Sequence, residues 1–196
     1  MRKLVLVAIL FVFASIAAQA QVDVAFGLST TSGASATSAS GNYAPQSIGG
    51  GTYLNFSGDY LFWKGFGVGG QIAWRASQSL WGGQLPYRPI FYDFNGVYAP
   101  RINQYLGAEL QGGIGAESVR FYTGNVICSA FSGCSNYQST NHFMGHIGGG
   151  VKVYPKGNFF IRPEAHVYFV RNNFEFSGPR VTRYGMSIGY TWGEAK

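Results

Sequence analysis

Charge is scarce in this chain. Asp, Glu, Lys and Arg together supply 11% of its 196 residues, against roughly 25% in an average water-soluble domain. That shortage sets aside an ordinary soluble enzyme. Acidic residues are the rarer sign, 8 against 14 basic, but the excess is too small to point to a nucleic-acid partner. Beyond the N-terminus there is no apolar run near the 20 residues that a membrane-spanning helix needs, and no segment shows a 3.6-residue apolar period. What is abundant is glycine, at 29 residues, and aromatics, at 17%. With 46% hydrophobic residues the chain has the apolar content to fold, and its composition points to β-structure.

The first twenty residues read as a cleaved signal peptide. Arg2 and Lys3 precede an uncharged stretch, Leu4 to Ala18, that ends in Ala18-Gln19-Ala20, the order of an exported leader and its small-residue cleavage site. The mature chain then begins at Gln21. Removing Arg2 and Lys3 leaves 12 basic and 8 acidic residues, a net charge of +4. Export also suits the only two cysteines, Cys128 and Cys134, which are close in sequence in a Ser/Gly/Asn-rich stretch and would meet an oxidising compartment. A local disulfide is expected. Zinc would need further Cys or His ligands at suitable spacing, and the stretch holds none.

The remainder divides into eight segments of period two, near residues 22–30, 50–62, 66–79, 87–99, 105–122, 140–154, 159–172 and 182–192. Each is bounded by turn chemistry, as strands are. The connectors alternate. Residues 31–49, 80–86, 123–139 and 173–181 are long or polar, whereas Trp63-Lys64-Gly65, Pro100 to Gln104 and Pro155 to Asn158 are tight turns. An even number of antiparallel strands with short turns at one end and longer loops at the other predicts an all-β protein. Its expected form is an eight-stranded antiparallel up-and-down transmembrane β-barrel spanning residues 21–196, located in a bacterial outer membrane.

Strand phase carries the strongest argument, because alternate side chains of a barrel wall face opposite environments. One phase is apolar, as in Val22, Val24, Phe26 and Leu28, or Phe143, Ile147, Val151 and Val153. The other collects Asp23, Asp59, Arg75, Asp93, Glu109, Glu117, Lys152, Arg162, Glu164 and Arg183, together with His142, His146 and His166. A soluble lipocalin-like barrel would turn the apolar phase inward. The charge shortage argues for the opposite, with the apolar phase on lipid and the charges inside. Two aromatic girdles are expected. One comprises Phe62, Trp63, Phe66, Tyr98, Tyr105, Tyr154, Phe159 and Trp192; the other Tyr87, Phe121, Tyr122, Phe174 and Tyr184.

The last strand, Arg183 to Trp192, has Gly185, Ile188, Tyr190 and Trp192 in a polar-x-Gly-x-x-apolar-x-aromatic order. In this and in its strand pattern the mature chain resembles the small eight-stranded OmpA-like outer-membrane β-barrel proteins. The resemblance implies that these four residues form the signal read by the barrel-assembly machinery. It departs from the pattern in that Gly193 to Lys196 follow the terminal aromatic.

Function then has to come from the lumen and the loops. Six acids and four bases line the predicted interior, near balance, and buried charges persist when paired. A network among Arg75, Arg162, Lys152 and the carboxylates would plug the lumen and leave a structural barrel that supports envelope integrity. The alternative is a narrow or gated channel for small solutes. Catalysis is not expected: none of the three histidines has a serine two residues on along its strand face. Arg88, Arg120 and Arg171 occupy the lipid-facing phase only at the long-loop ends of their strands. They are read as a rim contacting lipopolysaccharide phosphate. Residues 31–49 look flexible, and the loop with Cys128, Phe131, Cys134 and Tyr137 is where an adhesin would hold a ligand. The expected protein is a monomer in outer-membrane lipid, with no cofactor, no metal and no nucleic-acid partner.

Overall fold

The computed structural model describes residues 20–129 and 133–193. The leader, except Ala20, and Phe131 lie outside the described residues. Nine strands follow one another, with no helix among the described residues: β1 (Gln21–Gly33), β2 (Thr52–Trp63), β3 (Phe66–Arg75), β4 (Ser79–Trp81), β5 (Leu85–Tyr98), β6 (Leu106–Ser129), β7 (Gly133–Lys156), β8 (Phe159–Val170) and β9 (Arg180–Trp192). Eight of them form the wall, each antiparallel to the next. β3 pairs with β5, and β1 pairs with β9 from Val22↔Trp192 to Gly33↔Val181, so the ring closes and leaves no edge. The ninth, β4, is a three-residue spur hydrogen-bonded to the outer end of β5.

Turn chemistry sets the register. β2 and β3 are joined by Lys64-Gly65 with both residues at positive φ, 44° and 83°. A two-residue hairpin matched to the strand twist requires that geometry. The outer connections depart from the sequence expectation in two places. Residues 123–139, expected as a loop, are mostly strand: β6 and β7 continue past the wall as a hairpin with a register shift between Tyr122 and Ile127, and the Cys128–Cys134 disulfide is near its tip. Residues 31–49, expected to be flexible, contain the end of β1 and a segment that folds inward. There Ile48 is buried and its carbonyl accepts from Thr31 Oγ1 at 3.3 Å.

The wall obeys the predicted alternation, with the apolar phase outside. Phe94 is 78% exposed and Leu110 63%, whereas Arg162 is 1% exposed. The inward-greasy alternative is therefore excluded. Three aromatics expected in the girdles face the lumen instead. Tyr87, Phe121 and Tyr154 share strand phase with Asp93, Glu117 and Lys152, so the pleat turns them inward; Tyr87 and Tyr154 are buried, and Phe121 packs against the outer apolar cluster with its ring 6.2 Å from that of Tyr87. The outer aromatics do pack on one another at the short-turn end, where Phe66 stacks between Trp63 and Tyr98 at centroid distances of 5.9 and 4.4 Å.

Candidate functional site

The interior is layered. Its inner part is a charge network built from five strands. Lys152 Nζ on β7 lies 2.5 Å from Asp23 Oδ2 on β1 and 2.6 Å from Glu109 Oε2 on β6. Arg162 on β8 reaches Glu109 Oε1 at 2.5 Å and Glu164 Oε2 at 2.9 Å, and it donates to Ser57 Oγ at 2.9 Å. Asp59 is 3.9 Å from the same guanidinium. Each cation thus sits between carboxylates, the arrangement that offsets the cost of removing charge from water. Arg183 on β9 extends the network outward: its guanidinium lies 3.3 Å from Glu164 and donates to Gln71 Oε1 at 2.9 Å and to the Tyr168 hydroxyl at 3.0 Å.

Above this lies a second polar layer. The rings of His146 and His166 stack, with His146 Nε2 2.9 Å from His166 Nδ1. His146 Nδ1 is 2.8 Å from Asn95 Oδ1 and 3.4 Å from Asp93 Oδ1. Room for the pair comes from Gly148, where a Cβ would stand 2.2 Å from His166 Nδ1. The neighbours of this pair are amides, the Asp93 and Glu164 carboxylates and the Tyr168 ring, and no serine hydroxyl bonds to it among the described residues.

Apolar side chains close the lumen at both ends. At the outer mouth Tyr53, Ala73, Tyr87, Phe91, Val119, Met144, Tyr168, Val170 and Val181 from the wall pack with Ile48 and Phe176 from the loops. Phe91 stacks on Tyr168 at 4.9 Å, with planes 7° apart. The loops are tied together over this plug. Trp81 Nε1 donates to the Glu175 carbonyl at 2.8 Å, Gln46 Nε2 donates to the Leu80 carbonyl at 2.8 Å, and the Ser177 amide donates to the Gln46 carbonyl at 2.8 Å. At the inner end Ala25, Tyr154 and Phe160 form one cluster and Leu61, Val97 and Ala99 another.

Ten charged residues were expected to line the lumen. Seven of them, Asp23, Asp59, Glu109, Lys152, Arg162, Glu164 and Arg183, come together in one network. Asp93 instead meets His146, Asn95 and Gln71. Arg75 and Glu117 are not part of the network: they belong to the outer end of the lumen. Arg75 there is half-buried, its guanidinium 3.5 Å from the Tyr87 hydroxyl, and Glu117 accepts from Asn173 Nδ2 at 3.1 Å. The apolar mouth was missed. Its wall residues are apolar or aromatic side chains on the inward phase, but Ile48 and Phe176 come from loops, which no strand period marks.

On the outer face Arg88 and Arg120 are direct cross-strand partners on β5 and β6. Arg120 lies over the Tyr137 ring at 4.9 Å, and Arg88 donates to the Ala76 carbonyl at 3.4 Å. Arg171, two strands further round, is exposed, with its backbone amide bonded to the Phe143 carbonyl at 2.8 Å. In the last strand Ile188, Tyr190 and Trp192 point outward, and a Cβ on Gly185 would stand 2.5 Å from the Leu28 carbonyl.

No family model and no curated protein matches the sequence. Solved structures do match. The chain is similar to Ail, the attachment invasion locus protein of Yersinia pestis, in a crystal structure with the heparin analogue sucrose octasulfate: TM-score 0.59, 17% identity, 89% of this chain and 99% of that one. It is likewise similar to Neisserial surface protein A, with TM-score 0.57, 8% identity, and 88% and 96% of the two chains covered. A third match is the N-terminal β-barrel domain of Pseudomonas aeruginosa OprF, with TM-score 0.52, 11% identity, and 89% and 98% covered. Identities this low speak for architecture alone, and together with the closed ring and its outward apolar face they make the fold that of the small, OmpA-like eight-stranded outer-membrane β-barrels.

Proposed function

We propose that the chain is a structural outer-membrane barrel that supports envelope integrity. The observation that carries this reading is the filled lumen: paired charges in the inner part, a hydrogen-bonded histidine layer above, and apolar clusters at both ends. A conducting pore needs a continuous wetted path, and eight strands leave an interior that side chains can fill. The test is single-channel recording of the refolded barrel in a planar bilayer, with insertion verified by heat-modifiable gel mobility. The reading expects no reproducible current. Discrete openings that change when Arg162 or Glu109 is neutralised would favour a gated channel.

In this reading the outer rim anchors the barrel to lipopolysaccharide. Like charges directly opposite on neighbouring strands repel, yet Arg88 and Arg120 are paired so, without a carboxylate partner among the described residues. A phosphate between them would remove that repulsion, since arginine engages phosphate through two parallel donors. Arg171 would extend the contact. Replacing all three by alanine should lower lipopolysaccharide co-purification and barrel stability in native membranes. Unchanged values would refute the anchor.

A second reading, loop-mediated adhesion, is favoured by one feature. The β6–β7 hairpin continues beyond the wall, is cross-linked at Cys128–Cys134, and pairs the Tyr122 and Tyr137 rings at 6.0 Å. Binding of cells that express the barrel to a host-cell surface, with and without this hairpin, separates the two readings.

A further inference from the structure

Each short turn of the barrel carries one cation. Lys64 is in the β2–β3 turn, Arg101 is in the β5–β6 turn and Lys156 ends β7 beside the β7–β8 turn, and all three are exposed. The turns adjoin one another. The Ala99 amide donates to the Gly65 carbonyl at 2.7 Å, and Arg101 Nη2 donates to the Gly157 carbonyl at 3.4 Å. The three cations thus lie along one arc of neighbouring backbone at the short-turn end of the wall.

No acid accompanies them among the described residues. Asp23, Asp59, Asp93, Glu109, Glu117 and Glu164 are buried in the lumen, and Glu175 is at the opposite mouth, 2.8 Å from His142 Nε2. Glu194 lies outside the described residues. The lumen cations Lys152, Arg162 and Arg183 all have carboxylate partners, whereas Lys64, Arg101 and Lys156 form no ion pair among the described residues. Like charges gathered on one rim give it a positive potential that draws anions. Apolar side chains stand beside each cation. Trp63 next to Lys64, and Ile102 and Tyr105 near Arg101, are 60–66% exposed, and the exposed Phe159 is the strand partner of Lys156. Arg101 is held in place: its guanidinium is 4.3 Å from the centre of the Tyr154 ring, and it donates to the Gln104 carbonyl at 3.2 Å.

We propose that this arc is a docking surface for the head groups of anionic phospholipids in the leaflet that meets the short turns. It rests on the reading of the chain as an outer-membrane barrel, whose short turns face the periplasm, and does not depend on whether the lumen conducts. Aromatic rings settle at the boundary between hydrocarbon and head group, and long cationic side chains reach from there to phosphate. A soluble acidic polymer would answer the charge but leave Trp63, Ile102 and Tyr105 in water; a phospholipid meets both needs. The barrel would then engage a different anionic lipid at each end, with Arg88, Arg120 and Arg171 on the opposite rim.

The test titrates the barrel, refolded in detergent micelles free of lipopolysaccharide, with phosphatidylglycerol or phosphatidylcholine of identical acyl chains. Bound lipid is read by native mass spectrometry. Phosphatidylglycerol is expected to bind at least about fivefold more tightly, the effect of a single cation near an anionic surface. Lys64→Gln/Arg101→Gln/Lys156→Gln should bring the two lipids within about twofold of each other, while Arg88→Gln/Arg120→Gln/Arg171→Gln should keep the preference. Lys64→Gln/Lys156→Gln leaves the contact of Arg101 with Tyr154 untouched and should by itself lower the preference at least about twofold. Heat-modifiable mobility verifies every variant and tests the barrel reading separately, so a lost preference in a folded barrel bears on the arc alone. Equal binding of both lipids by the wild type would overturn the proposal. So would a preference that survives the first triple variant, that is lost in the second, or that an equal concentration of soluble glycerol phosphate abolishes, which would assign the arc to free phosphate.

Discussion

Replacing Arg162 by methionine tests the energetic logic of the lumen. The guanidinium is 1% exposed and bonds to two carboxylates, Glu109 at 2.5 Å and Glu164 at 2.9 Å, and to Ser57 at 2.9 Å. Methionine keeps most of the volume and removes the charge. Glu109 would retain Lys152 at 2.6 Å, and Glu164 would retain Arg183 at 3.3 Å, so neither acid is wholly abandoned. Breaking a buried pair by removing one partner costs about 3–5 kcal/mol, and the remaining cations put the expectation at the lower end, about 3 kcal/mol. For a domain of this size each kcal/mol moves the thermal midpoint by roughly 2–4 °C, which gives a fall of about 10 °C. The assay is the temperature at which the compact gel band converts to the unfolded one. Adding Glu109→Gln to Arg162→Met should recover part of the loss, since the two groups are in direct contact and their effects do not add. An unchanged midpoint in Arg162→Met, or strictly additive effects in the double variant, would refute the view that the network contributes to stability.

Three further outcomes follow from the geometry. Phe176→Ala removes a fully buried ring from the outer mouth, and the loss of a buried aromatic costs about 3–5 kcal/mol. Because the ring comes from a loop, the cost should appear as faster proteolysis of residues 171–179, with the barrel's own unfolding temperature little changed. Reducing the Cys128–Cys134 disulfide, which closes a short loop near the tip of the β6–β7 hairpin, should leave the midpoint of the barrel where it is and increase only the protease sensitivity of the hairpin. Gly113→Val should abolish folding in detergent as judged by the mobility shift, because even a Cβ there would stand 1.9 Å from the Phe94 carbonyl on the neighbouring strand.

The phase of the strands was legible because a barrel wall separates two environments. Within their strands Asp23, Glu109, Lys152 and Arg162 fall on the inward phase and Phe26, Phe94, Leu110 and Ile147 on the outward one, and no folding detail can alter a strand's parity without a bulge. For the same reason the girdle assignments of Tyr87, Phe121 and Tyr154 failed. Nearness to a strand end was allowed to outweigh their parity, and parity prevailed. Strand limits were less legible beyond Tyr122. There β6 and β7 leave the two-sided setting of the wall, and the alternation that marks a strand no longer has to be kept.

By itself, the sequence determined the closed eight-stranded wall, the outward apolar face, the inward charges and the nearness of the two cysteines, since all of these are encoded in local period, parity and spacing. Only the tertiary structure decided which charges meet. The partners Arg162 and Glu109 are 53 residues apart, and Lys152 and Asp23 are 129 residues apart. Their contact depends on strand tilt and closure of the ring, which are properties of the whole barrel. The same holds for the mouth. Ile48, Asn173, Glu175 and Phe176 lie in connections without periodicity, and they reach the lumen because the loops fold back over an apolar opening that water would otherwise have to cover.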